Sequence, residues 1–174
     1  MASFENARMQ GASFAEGPGR DKARMQGAIL RGAELRGTEL YVIDLQVADL
    51  GEAQLEDADL QDVMMHGASL GRTRMQNTKL GWVEMLGVSF GQARLQGIEF
   101  GHNELSLSEL ERAFGDASVR FEYQQLQHPN YQRPNHWPTR VLRCTPDKSG
   151  QTDYDRHYAA WLADPDAYDP DADY

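Results

Sequence analysis

The chain is 174 residues long, 40% hydrophobic and 25% charged, with 27 acidic against 17 basic side chains and a formal net charge of -10. That is too apolar for a disordered chain, and the acidic balance argues against direct binding of nucleic-acid backbones, which needs a basic stripe. No run reaches the roughly 18 apolar residues of a membrane span, no basic stretch leads into an apolar one at the N-terminus, and a lone cysteine, Cys144, cannot close an internal disulfide, so a cytoplasmic protein without membrane contact is expected.

Taken from the start, Phe4, Met9 and Phe14 recur every fifth residue, each preceded two positions earlier by Ala2, Ala7 or Ala12. From Met25 to Leu105 the rule continues: every fifth residue is Leu, Met or Phe, with a small or β-branched residue two before it until Asn103. The two stretches differ in phase by one residue, and the shift falls at Gly17-Pro18-Gly19-Arg20-Asp21-Lys22, where a bulge or loop over 17–22 is expected.

A period of five matches neither the 3.6 of a helix nor the 2.0 of a strand. The small and large residues are two apart, so on extended backbone both point to one side. The remaining positions are mostly polar or glycine and must face water or turn the chain. Repetition coils the backbone into a prism with the large side chains along its axis, each coil stacked on the next by backbone hydrogen bonds about 4.8 Å apart.

The units Ala48-Asp49-Leu50-Gly51-Glu52 and Ala58-Asp59-Leu60-Gln61-Asp62 resemble the A(D/N)LXX motif of the pentapeptide-repeat family. The resemblance covers about residues 2–105 and implies an all-β solenoid, a right-handed parallel quadrilateral β-helix with four units per turn and roughly five coils. Residues 20 apart then share a face: Arg24, Asp44, Met64, Glu84 and Glu104 on the first; Ile29, Asp49, Ser69 and Ser89 on the second; Glu34, Gln54, Arg74 and Arg94 on the third; Glu39, Asp59, Lys79 and Glu99 on the fourth. Val63 and Val83 place larger side chains at the small position and are expected to widen the coil.

The reading divides the chain into a repeat domain, 1–105, and a capping extension, 106–174. Ser106 and Glu109 fit a capping box for a short helix to about Phe114, with Leu107, Leu110 and Phe114 on the side that plugs the last coil. Prolines 129, 134, 138 and 146 suit an extended segment over 115–152 along the solenoid wall. A second helix is expected from Thr152 to Leu162, with Tyr154, Tyr158 and Trp161 as a packing stripe. The acidic, proline-punctuated residues after Asp164 are expected to form a mobile tail. Phe114-Gly115-Asp116-Ala117-Ser118-Val119, His136-Trp137-Pro138 and Trp161-Leu162-Ala163-Asp164-Pro165 are similar to a C-terminal extension of some proteobacterial members. The chain opens within a repeat and without an evident cover, which suggests a fragment of a longer protein or an open end that joins two copies as a homodimer.

Catalytic signals are weak. His66, His102, His128, His136 and His157 show no zinc spacing with one another or with Cys144, and no phosphate-binding loop, nucleophile elbow or metalloprotease motif occurs. The many carboxylates lie at outward positions of a convex prism, where nothing shelters a shifted pKa. No catalytic residue, cofactor or metal is therefore expected. The informative residues are apolar ones at outward or turn positions: Val42 and Trp82 on one corner, with Met64, His66 and Leu86 on the adjoining face. They are expected either to receive the chain's own tail, the favoured reading, or to contact a partner. The function expected is a non-catalytic protein-binding or scaffolding module whose partner is another protein. The alternative is a DNA-mimicking inhibitor of DNA gyrase like the quinolone-resistance members of the family. Residues 1–105 carry a net charge of only -5, and Arg72, Arg74, Lys79 and Arg94 interrupt their acidic surface.

Overall fold

The computed structural model describes residues 2–14, 23–101, 107–121, 134–143, 146–147 and 149–174. The 17–22 bulge, His102, Asn103, Glu104, Leu105, Ser106, His128 and Cys144 lie outside them. The named elements are strands β1 (Ala23–Arg24), β2 (Glu39–Tyr41), β3 (Ile43–Asp44), β4 (Asp59–Gln61), β5 (Lys79–Gly81), β6 (Arg94–Leu95) and β7 (Glu99–Phe100), then helix α1 (Leu107–Leu110), strands β8 (Phe114–Gly115) and β9 (Arg120–Phe121), and helix α2 (Asp153–Ala163).

Pairing is parallel in every case, with a register of 20 residues through the body of the chain: Leu40 lies beside Leu60, and Leu60 beside Leu80. β2, β4, β5, β7 and β9 form one five-stranded sheet, β1 pairs with β3, and β6 pairs with β8. Single bridges complete the other walls, Asp49 to Ser69 and Gln54 to Arg74 among them. The result is a four-sided parallel β-solenoid of about five turns, and among the described residues the four faces carry those the arithmetic of 20 assigns to them.

The bore follows from the two apolar positions. Leu50 and Leu70 are 0% exposed and Phe90 1%, and Ala33, Ala53 and Ala93 beside the axis are equally buried. Where threonine takes the small position, its hydroxyl is satisfied inside: Thr38 Oγ1 donates to the Leu35 carbonyl at 2.8 Å and Thr73 Oγ1 to Leu70 at 2.7 Å. Val63 and Val83 are also buried, and the register of 20 runs past them.

Among the described residues most corners are tight turns closed by a hydrogen bond, while corners such as those at Val42, Asp62 and Trp82 are bends. The Ala33 amide donates to the Leu30 carbonyl at 3.0 Å, and Gly32 between them has φ +67°, the left-handed geometry that a type II turn demands of its third residue. The corner also bonds to the next coil, Gly32 N to Gly51 O at 2.8 Å and Glu52 N to Gly71 O at 2.8 Å. Cations span coils outside: Arg31 reaches Asp49 and Glu52, each at 3.1 Å, Arg36 reaches Glu56 at 3.2 Å, and Lys79 reaches Asp59 at 3.3 Å.

The first coil sits on the second with a larger offset. Ser3 bridges Ile29, Arg8 bridges Glu34 and Ser13 bridges Glu39, 26 residues apart in each case. Six extra residues therefore enter between Ser13 and Ala23, one more than a whole unit, which accounts for the phase shift in the sequence.

The ladder also outruns the boundary drawn at 105. β8 pairs with β6 at an offset of 20, and β9 pairs with β7 at 21. Leu110 and Ala113 fill the large and small positions of this further coil. At the next large position stands Gly115, where a Cβ would lie 2.9 Å from the Trp137 ring. Trp137 thus occupies the place a repeat side chain would have taken, its indole N–H donating to the Ala113 carbonyl at 2.9 Å. The expected helix to Phe114 is shorter, a single turn, and Phe114 does not plug the bore but points outward from the third face.

Candidate functional site

The described part of the C-terminal segment settles on the third face. Helix α2 begins at Thr152, whose hydroxyl accepts from the Asp155 amide while Asp155 accepts from the Thr152 amide, a reciprocal capping box. It ends at Asp164, before Pro165. Its stripe of Tyr154, Tyr158 and Trp161 surrounds Phe114, with ring centres 5.3, 5.7 and 5.5 Å away. Arg94 lies against the rings of Tyr154 and Tyr158, at 5.1 and 5.0 Å, and pairs with Asp155. The two phenol groups donate to solenoid carbonyls, Tyr154 to Phe114 at 2.7 Å and Tyr158 to Gln92 at 2.8 Å.

The acidic end, expected to be mobile, is docked. Tyr168 is buried, and its hydroxyl lies 2.7 Å from His157 Nδ1. Tyr174 stacks on Tyr168, and the Arg140 guanidinium donates to the Ala172 carbonyl at 3.1 Å and the Asp173 carboxylate at 2.9 Å. Composition favoured disorder, but one cation and an aromatic cluster hold this segment.

His157 completes the buried side of α2. Burial, reinforced by the Arg140 cation and opposed by Asp153, Asp173 and Asp116, lowers its pKa from the ordinary 6.5, and burial also lowers that of His136. A lowered imidazole is held neutral when docked, so as pH falls below about 6.5 the undocked tail takes up protons first and docking stability is lost. Hydrogen exchange of α2 amides, taken as protection relative to the intrinsic exchange rate at each pH from neutral down to about pH 5, is expected to show protection falling on acidification, and His157→Gln is expected to flatten the dependence.

The described part of the tail occupies the third face, whereas the apolar residues singled out in the sequence lie about the first, on the far side of the tube. Trp82 is 64% exposed and Leu86 58%, whereas Val42, Met64 and His66 are half-buried. Val42 and Trp82 share the corner between the fourth and first faces but are two coils apart, with Asp62 between them. Met64 is on the first face itself, bridged to Asp44 and Glu84. His66 and Leu86 lie at the opposite corner, and His66 Nε2 is 2.8 Å from Glu84 Oε2. A groove of about 460 Å³ runs between Trp82 and Leu86, lined also by Asp62, His66 and Glu84.

Sequence reasoning missed Val47, below Gly67 on the Leu86 corner and 67% exposed. The signal was its position in the unit, where glycine or a polar residue usually stands. That position is left-handed: Val42 has φ 54°, Val47 51° and Trp82 56°. Left-handed backbone costs a non-glycine residue about 1–2 kcal/mol, and β-branched or bulky residues rarely adopt it. Among the described residues, the other left-handed positions hold Gly, Asn, Asp, Glu, Arg or Gln. All three apolar exceptions flank the first face.

Among the described residues no group of three or more His, Cys, Asp or Glu could hold a metal, and no helix is long and apolar enough to cross a membrane.

Residues 43–80 match the family model for pentapeptide repeats, in eight copies. No curated protein matches the chain. Among solved structures, similarity extends to HetL, a pentapeptide repeat protein involved in heterocyst differentiation regulation in the cyanobacterium Nostoc sp. strain PCC 7120, at 24% identity and a TM-score of 0.57 over 69% of this chain and 53% of that one. The chain thus spans about half the length of HetL. A pentapeptide repeat protein of the Arabidopsis thaliana thylakoid lumen is 21% identical, with a TM-score of 0.48 over 85% of both chains. A trypsin-treated form of QnrB1, a plasmid-mediated fluoroquinolone resistance protein, is 16% identical, with a TM-score of 0.40 over 70% of this chain and 66% of that one.

Proposed function

The chain is a pentapeptide-repeat protein, and from that premise we propose that it is a non-catalytic binding module whose first face receives another protein. The observation that carries this reading is the coincidence of exposure with backbone cost. Val47 and Trp82 are exposed, and with Val42 they hold left-handed positions where glycine or asparagine would be easier. Backbone strain held at exposed side chains clusters at functional surfaces, and an exposed apolar strip on a rigid wall is the kind of surface partners use.

The test is site-specific photo-cross-linking in host cells. A photoreactive residue at Leu86 is expected to capture a discrete partner, whereas one at Ser89 on the second face is not. Equal capture at both positions, or at neither, would remove the first face as the binding surface.

A second expectation separates binding from stability. Val47→Gly relieves the left-handed valine, so it is expected to stabilise the fold by about 0.5–1 kcal/mol while weakening partner capture. Denaturant titration of the variant checks the first part.

DNA mimicry is less well supported. A mimic needs rows of open carboxylates, whereas here Asp49, Glu52, Glu56 and Asp59 each meet a cation one coil away.

A further inference from the structure

Away from the first face, we infer that the groove between α2 and the last coil binds a free α-amino acid with a large apolar side chain, its carboxylate held by Arg112 and its ammonium group by Glu111. The register of 20 places Glu111 and Arg112 one coil beyond Gly91 and Gln92, at the corner between the second and third faces. The end of α2 lies across from this corner, leaving about 520 Å³ of space walled by Trp161, Leu162 and Pro165. That volume suits a small ligand. Gly91 keeps the groove open, since a Cβ built there would meet nothing within 4 Å.

The polar groups here are unsatisfied. Glu111 and Arg112 are exposed at the rim, and among the described residues neither side chain has a hydrogen bond or an ion pair. Trp161 is 6% exposed, yet its indole N–H meets no acceptor among the described residues, although a tryptophan so buried normally finds one. That nitrogen is not sealed from solvent, and it is left to donate into the groove its ring lines. His136 supplies a matching acceptor. Its Nε2 is 2.7 Å from the Ala113 carbonyl, which can only accept, so Nε2 carries the proton. Burial lowers the pKa of the ring and favours its neutral form, which leaves Nδ1 as an unpartnered lone pair. The groove thus sets an acid and an acceptor beside a base and a donor along an apolar wall, the complement of a zwitterion with an apolar side chain. An anion or a cation alone would leave one rim charge uncompensated, and a purely apolar ligand would desolvate both.

Isothermal titration calorimetry of the full chain with phenylalanine and with leucine tests the inference, alongside the deaminated acid and the decarboxylated amine of each. At least one of the two amino acids is expected to bind at a single site, about tenfold more tightly than either of its counterparts, because each counterpart gives up one charge-assisted contact. Arg112→Gln is expected to weaken the amino acid about tenfold and leave the amine unchanged, and Glu111→Gln to weaken it as much and leave the acid unchanged. Both side chains are exposed, so the circular dichroism of the variants is expected to match that of the parent. Gly91→Leu fills the groove without backbone strain and is expected to abolish binding. If the acid or the amine binds as tightly as the amino acid, the zwitterionic class is wrong. Binding that survives unchanged in Gly91→Leu lies elsewhere on the chain and defeats the inference, as does the absence of saturable binding of both amino acids up to about 10 mM. The cross-linking contrast between Leu86 and Ser89 decides separately whether the first face binds protein.

Discussion

Phe90→Ala is expected to lower the unfolding free energy by about 3–5 kcal/mol, the cost of replacing a fully buried aromatic with a void. The ring is 1% exposed and meets Phe100 edge-on with centres 6.3 Å apart, so its removal opens the bore between two adjacent stretches of wall. The walls cannot close over the vacancy easily, since their spacing is set by backbone bonds such as Leu70 N to Ser89 O at 2.8 Å and Arg94 N to Thr73 O at 2.9 Å. Phe90→Leu, which installs the commonest occupant of the bore, is expected to cost about 1 kcal/mol. Urea unfolding followed by circular dichroism separates the two. A loss below about 1 kcal/mol for the alanine variant would mean that the tube contracts around the missing ring.

The second large effect concerns the tail. Phe114→Ala is expected to release α2 and the segment after it while leaving the coils folded. Phe114 is fully buried, yet outside the bore: its neighbours are Tyr154, Tyr158, Trp161 and Tyr168, with ring centres between 5.3 and 5.9 Å away. The side chain is therefore worth about 3–5 kcal/mol to docking and little to stacking of the coils. Hydrogen exchange should show α2 amides losing protection while those of Leu50 and Leu70 keep theirs. If protection falls in both together, tail and solenoid unfold as one unit.

Much of this architecture was legible because five-residue periodicity is local and uninterrupted. The four faces follow from counting, since Asp49, Ser69 and Ser89 fall in line once four units make a turn. What escaped was the part that is not local. The coil beyond 105 has its second large position vacant at Gly115 and filled by Trp137, and its last pairing slips to 21 residues, so a scan at intervals of five cannot follow it. Leu110 and Ala113, each 20 residues beyond Phe90 and Ala93, were the available clue. Docking of the acidic end depended on Arg140, about 30 positions upstream, which local composition does not reveal. The apolar strip about the first face was partly legible: apolar residues at outward positions identified Trp82 and Leu86, but the cost of holding Val42, Val47 and Trp82 there required backbone angles.

The constant register of 20 residues has a consequence for how such a rod can change over generations. Loss or gain of one unit leaves the axis filled, because every unit offers it the same pair of side chains, yet rotates everything downstream by a quarter turn. A deletion between Leu50 and Trp82 would thus carry the tryptophan away from the side that bears Val42 and Val47 with little disturbance inside. Exterior lettering can be reshuffled in ninety-degree steps while the scaffold beneath it is conserved, and only changes of four whole units lengthen or shorten the rod without altering which side meets the world.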